Sequence, residues 1–165
     1  MKKIFTILML ISLNSMHQAF ACDCVSKGEF LTVASKSKLV ALVKVAEYLT
    51  YRNIYDEKMP MSMLVEIIEV YKGREIRKTV TVWGDDGGLC RPYLNRFKLG
   101  NYYIIAFDEA GIAGTKAEKK TDYAISICGD YWLDADTKSK KAKGMVTKNI
   151  NAISFQDLRK KLSGK

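Results

Sequence analysis

Residues 39–48 read Leu-Val-Ala-Leu-Val-Lys-Val-Ala-Glu-Tyr. Leu39, Ala41, Val43 and Val45 fall on one side of an extended chain, and Val40, Leu42, Lys44 and Ala46 fall on the other. That is the two-residue period of a strand, not the 3.6-residue period of a helix. Apolar residues on both sides predict a strand that is central in its sheet or covered by a helix.

Outward from this stretch the β pattern repeats. Met59–Tyr71 has Pro60 near its start, where a strand tolerates it, and continues through Leu64, Val65, Ile67, Ile68 and Val70. Lys72-Gly73-Arg74 is a turn. Arg77–Trp83 then alternates Thr79, Thr81 and Trp83 with Val80 and Val82, and Tyr102–Phe107 and Tyr123–Ile127 are further strands. Between them, Tyr51–Lys58 and Glu109–Thr121 read as loops and Gly129–Val146 as a polar, lysine-rich stretch. Gly84-Asp85-Asp86-Gly87-Gly88 is a loop of residues that tolerate positive φ. Short helices are expected at both ends. Ser26 and Glu29 have capping-box spacing before a helix over 27–36, and Ser154 and Asp157 stand in the same relation before one ending near Leu162. Five closely spaced strands with few helices predict a small barrel or sandwich, and the pattern alone does not choose between them.

The first 21 residues have the layout of a secretory signal peptide. Lys2 and Lys3 precede the apolar run Ile4–Leu13, and Ala19-Phe20-Ala21 supplies a cleavage site before Cys22. The run is shorter than the about 20 residues that cross a bilayer. Cleavage would leave residues 22–165 as one domain. It would also lower the formal charge of +9 by two, since Lys2 and Lys3 leave and no acid does. Secretion, or residence in the periplasm or cell envelope, is the expected location.

Cleavage would also remove His17, the one histidine of the sequence. Without imidazole, Ser-His-Asp and Cys-His catalysis and His-ligated metals are excluded. Neither a cofactor nor an enzymatic activity is expected. Asp85 and Asp86 are adjacent, so on a strand end they diverge and shape a turn instead of forming a catalytic pair. Asp130, Asp134 and Asp136 hint at calcium, but Lys138 stands where an EF-hand loop needs another oxygen, and the Gly and Glu of that loop are missing. Lys138, Lys140, Lys141, Lys143, Lys148, Arg159, Lys160 and Lys161 concentrate positive charge late in the chain. Trp83, Tyr102 and Tyr103 add aromatics of the kind that stack on bases. Export and disulfides argue against a nucleic-acid partner, leaving a solvated lysine-rich face as the expectation.

Cys22, Cys24, Cys90 and Cys128 would all remain after cleavage. An even number in an exported chain reads as two disulfides, for which three connectivities exist. Cα geometry disfavours Cys22–Cys24, so each should reach one of the distant cysteines. Which reaches which stays open on spacing alone. A four-thiolate zinc site is the rival, but it favours Cys-x-x-Cys knuckles, which are missing.

Cys22-Asp23-Cys24 directly after the cleavage site resembles the start of the N-terminal inhibitory domain of the tissue inhibitors of metalloproteinases, part of the netrin-like group. Val70-Tyr71-Lys72-Gly73, the spacing from Cys22 to Cys90, Ile125-Ser126-Ile127-Cys128 and the helix over Ser154–Leu162 extend the resemblance along the rest of the chain, as in a bacterial-type single-domain member. It implies a five-stranded oligonucleotide/oligosaccharide-binding (OB) barrel, bridges Cys22–Cys90 and Cys24–Cys128, and a monomer that binds a zinc metalloprotease. In that family's manner, the α-amine and carbonyl of Cys22 would chelate the target's catalytic zinc. Asp23 would enter its S1′ pocket, Cys24 and Val25 would lie along the cleft, and Gly88, Leu89 and Cys90 would flank the edge from the other side.

The sequence departs from the family in places. The third disulfide of the animal domain has no cysteines here, its C-terminal domain is absent, and Val25-Ser26-Lys27-Gly28 replaces a Val-His-Pro-Gln-like stretch. The animal inhibitors carry Ser or Thr where Asp23 stands. A buried carboxylate must be paired, so Asp23 points to a target with a polar or basic pocket. Two alternatives use the same residues. One is a netrin-like scaffold without a protease target. The other is a lipoprotein acylated on Cys22, the only route by which a membrane attachment is expected. Ala19-Phe20-Ala21 suits ordinary signal peptidase better.

Overall fold

The computed structural model describes residues 22–111 and 115–163; the expected signal peptide lies outside the described residues. The five strands that the alternation predicts are β1 (Leu39–Ile54), β2 (Glu57–Lys72), β3 (Thr79–Trp83), β4 (Tyr102–Glu109) and β5 (Tyr123–Ala124). β1 pairs antiparallel with β2 along one edge and with β4 along the other. β2 pairs antiparallel with β3, β3 parallel with β5, and β5 antiparallel with β4. The circuit β1-β2-β3-β5-β4-β1 closes an OB-type barrel, with short helices α1 (Phe30–Lys36) and α2 (Phe155–Ser163) beside it.

Closure explains the composition of β1. Leu39–Val43 and Val45 are all buried: β2 and β4 pair with both edges of the strand, and its side chains join one core with Phe30, Val33, Phe155 and Leu158 of the two helices. Val65, Val82, Ile104 and Ile125 meet in the same core. Lys72, at the end of β2, donates its ammonium to the carbonyls of Ala34 (3.2 Å), Ser35 (2.7 Å) and Ser37 (2.7 Å), capping the C-terminal end of α1. Gly73 then turns at φ +85°, where a Cβ would lie 2.0 Å from the Lys38 carbonyl oxygen, so only glycine fits.

Four expectations are corrected. Tyr51–Lys58 is not a loop: the strands run on, pairing Arg52 with Met59 and Ile54 with Glu57, and turn at Tyr55 and Asp56 with φ of 50° and 63°. Exposed polar residues hid this extension, whose buried Ile54, Met59 and Met61 pack with Trp83, Ala110 and Ala124 in a second small core. The Gly129–Val146 stretch holds β6 (Trp132–Asp136) and β7 (Lys141–Thr147), followed by β8 (Ile150–Ser154). These strands extend the barrel from β4. Their outer face sets Asp134 opposite Lys143 and Asp136 opposite Lys141, while Leu133, Ala142, Val146 and Ile153 are buried. Alternation was present there but carried by charges. The strand over Tyr123–Ile127 is only two residues long in pairing. Finally, the first helix begins at Phe30 after Glu29, with no side-chain cap, and Ser26 Oγ instead accepts from the Gly28 N–H. At the second helix the expected serine cap is present: Ser154 Oγ accepts from the Asp157 N–H at 3.0 Å and donates to its carboxylate at 2.7 Å.

Candidate functional site

Two bridges build the site. Cys22 is bonded to Cys90 and Cys24 to Cys128, with Cα–Cα separations of 5.1 Å and 5.7 Å. The sulfurs of Cys22 and Cys24 lie 3.9 Å apart, so the bridges sit side by side. All four sulfurs are committed to bridges, which leaves no thiolate set for zinc. On the chain-entropy account, loops of 68 and 104 residues make each bridge worth roughly 4–5 kcal/mol. Backbone pairing continues the anchorage: the Lys27 N–H donates to the Cys128 carbonyl (2.6 Å), and the Asp130 N–H to that of Gly28 (3.0 Å). This extended pairing delays the first helix to Phe30. Asp23, Cys24 and Val25 are left exposed, Val25 by 89%.

The opposite side is the loop from Gly84 to Arg91. Asp85 Oδ1 accepts the Leu89 N–H at 2.6 Å and Asp86 Oδ1 accepts the Gly88 N–H at 3.2 Å, so both carboxylates shape the turn, as their adjacency implied. Arg52, from the long hairpin, reaches the carboxylate and the carbonyl of Asp86 at 3.4 Å. Gly87 has φ +100° and lies beneath Ile54 of the same hairpin. The Cys90 carbonyl accepts from the Ile127 N–H at 3.1 Å, tying this loop to the strand that leads into Cys128.

Next to Cys90, Arg91 forms a two-bonded ion pair with Glu118, at 2.7 and 3.0 Å. Glu118, with only 1% of its side chain exposed, also accepts from the Gly111 and Thr115 N–H groups at 2.8 and 3.0 Å. Burial pushes its carboxyl up, but Arg91 and the two backbone donors outweigh burial and hold it below the usual range. Asp108, half-buried nearby, is pushed up by burial, with Lys27, Tyr131 and Arg91 opposing.

All seven anticipated residues therefore belong to one surface feature: Cys22, Asp23, Cys24 and Val25 on one arm, and Gly88, Leu89 and Cys90 on the other, joined by the first bridge. Sequence reasoning missed the Arg91–Glu118 pair and Ile127, which is 43% exposed beside the second bridge. Glu118 sits in a loop with no pattern to mark it. Of the three aspartates of the calcium hint, Asp136 accepts from the Lys138 and Ser139 N–H groups and from the Ser139 hydroxyl. Among the described residues, no helix is long and apolar enough to cross a membrane.

Compared with known proteins, the chain matches no family model and no curated protein.

Proposed function

We propose that the chain, exported and cleaved after Ala21, is a secreted metalloendopeptidase inhibitor-like protein whose Cys22 α-amine and carbonyl chelate the target's catalytic zinc. The observation that carries this reading is the pair of bridges on alternate residues, which fix the backbone on both sides of an exposed Asp23. An α-amine has an ordinary pKa of about 7.7–8.0, so a useful neutral fraction can ligate at physiological pH. A catalytic zinc has three protein ligands plus a water and can expand to five-coordinate, so both donors of the five-membered amine–carbonyl chelate can bind in place of that water. A ridge that is already rigid loses little conformational freedom on docking. Asp23 selects a target whose S1′ pocket is polar or basic.

One observation favours a second reading. Asp23 is an exposed carboxylate with no ion-pair partner among the described residues. An apolar S1′ pocket would reject it, and the ridge would then serve a netrin-like binding or scaffold module, lipid-anchored if Cys22 is acylated. The test is binding to a panel of zinc endopeptidases with and without a tight active-site blocker. An inhibitor is displaced by the blocker, whereas a scaffold binds equally well in its presence, which would overturn the proposal. The intact mass of the mature protein from its native host accompanies this test. A chain starting at Cys22 and gaining four hydrogens on reduction keeps the amine free; added acyl mass removes the chelate.

A further inference from the structure

The end of the barrel beside Cys90 opens into a groove of about 950 Å³. It lies between the start of β1, the turn from β2 to β3, the end of β4 and the segment Tyr123–Ser126. Its apolar surface is given by the exposed Ile76 and the half-buried Tyr123, whose ring lies 5.1 Å from that of Phe107, with Leu39, Phe107 and Ile125 buried behind them. Seven cationic side chains line it against four acidic ones.

The acids are already engaged. Glu75 accepts from Arg77 and from the Tyr123 hydroxyl, and Arg77 holds its carboxyl down at about 2. Glu109 pairs with Lys38. Asp122 accepts the Trp83 indole N–H (2.9 Å) and the Lys119 N–H (3.1 Å). Asp108 is half-buried beside Lys27 and Arg91. Three cations of the wall, Lys36, Arg74 and Lys120, are exposed and have no ion-pair partner among the described residues. An apolar surface beside unopposed positive charge fits an anion that also carries apolar groups.

We infer that this groove docks an acidic peptide segment of a partner protein, with carboxylates on Lys36, Arg74 and Lys120 and an apolar side chain against Ile76 and Tyr123. The volume is at the upper end of the roughly 300–1,000 Å³ typical of ligand sites, enough for a short extended segment. A sulfated polysaccharide offers charge but no apolar side chain for that surface. The lysines of β7 make a poorer rival site, because Asp134 and Asp136 face Lys143 and Lys141 across the strands. Docking here does not depend on whether the Cys22 ridge inhibits a protease, and its test involves no protease.

The test is fluorescence anisotropy with a fluorescein-labelled hexapeptide alternating glutamate and phenylalanine. A glutamine-for-glutamate peptide and labelled heparin are the comparison probes. The triple variant Lys36→Glu, Arg74→Glu, Lys120→Glu changes only exposed side chains, and Lys141→Glu with Lys143→Glu is the control. The acidic peptide should bind, the triple variant should weaken it by at least about tenfold, equivalent to about 1.4 kcal/mol, and the control should not. Backbone amide shifts on the unmodified protein should centre on Phe107 and Tyr123–Ser126, a readout that survives if the triple variant folds poorly. No peptide binding, equal binding of the glutamine peptide, or shifts centred on β7 would overturn the inference. Heparin binding through the same three residues without peptide binding would reassign the groove to polyanionic sugars.

Discussion

Residues 22–25 and residues 85–91 form the two arms of one ridge, yet different chemistry holds each in place. The first arm is fixed covalently, by bridges to Cys90 and Cys128, and its backbone joins the pairing network only from Lys27 onward. The second is fixed by carboxylates: Asp85 on Leu89, Asp86 on Gly88, and Glu118 on Arg91. A reductant should therefore loosen the first arm and leave the second in place, whereas acid should weaken the hold of Glu118 on Arg91 and spare the bridges. The ridge needs both, because Cys90 belongs to the carboxylate-held arm and carries Cys22.

The largest expected effect comes from breaking the covalent side. Replacing Cys24 and Cys128 together by Ser should cost roughly 4–5 kcal/mol of unfolding free energy on the chain-entropy account, read by urea denaturation. A loss below about 1 kcal/mol would mean that the long loop adds little to the unfolded chain's freedom. Next comes the carboxylate side. Glu118→Gln leaves Arg91 buried without its counter-charge and should cost about 3 kcal/mol. Because the folded-state pKa of Glu118 is depressed, its contribution is present above the unfolded value of about 4.3 and is lost as pH falls through the folded value. The gap between wild type and Glu118→Gln should therefore close on acidification, and a gap independent of pH would contradict this assignment. The smallest effect is expected at Asp86, whose contact with Arg52 is solvent-exposed on the Arg side. Asp86→Ala should cost under about 1 kcal/mol in thermal melts.

The same contrast decides what the sequence made legible. The barrel strands announced themselves because each buries one apolar face, and β1 buries nearly all of its first half. β6–β8 did not, since Asp134, Asp136, Lys141 and Lys143 fill exposed positions, Met145 and Ile150 are exposed as well, and only single apolar residues such as Leu133 and Val146 mark the inner face. The hairpin tip at Tyr55 and Asp56 lacks the Asn-Gly or Asp-Gly signature that such turns usually show. Ser26 sits at capping-box spacing, but tertiary pairing of Lys27 and Gly28 overrides the local preference. At the site, the covalent arm was legible from four cysteines, with the pairing supplied by the family resemblance. The carboxylate arm was only partly legible: Asp85 and Asp86 read as turn residues, while Glu118 reaches Arg91 from a loop 27 positions away.

The most direct test of the zinc-chelation proposal is inhibition of a susceptible zinc endopeptidase by two proteins differing only at the amino terminus. One begins at Cys22 and the other carries a single Ala before it. Both should fold with the same bridges and melt alike, but the added Ala removes the free amine from the chelate, and inhibition should vanish. Equal inhibition by the two would contradict chelation by Cys22.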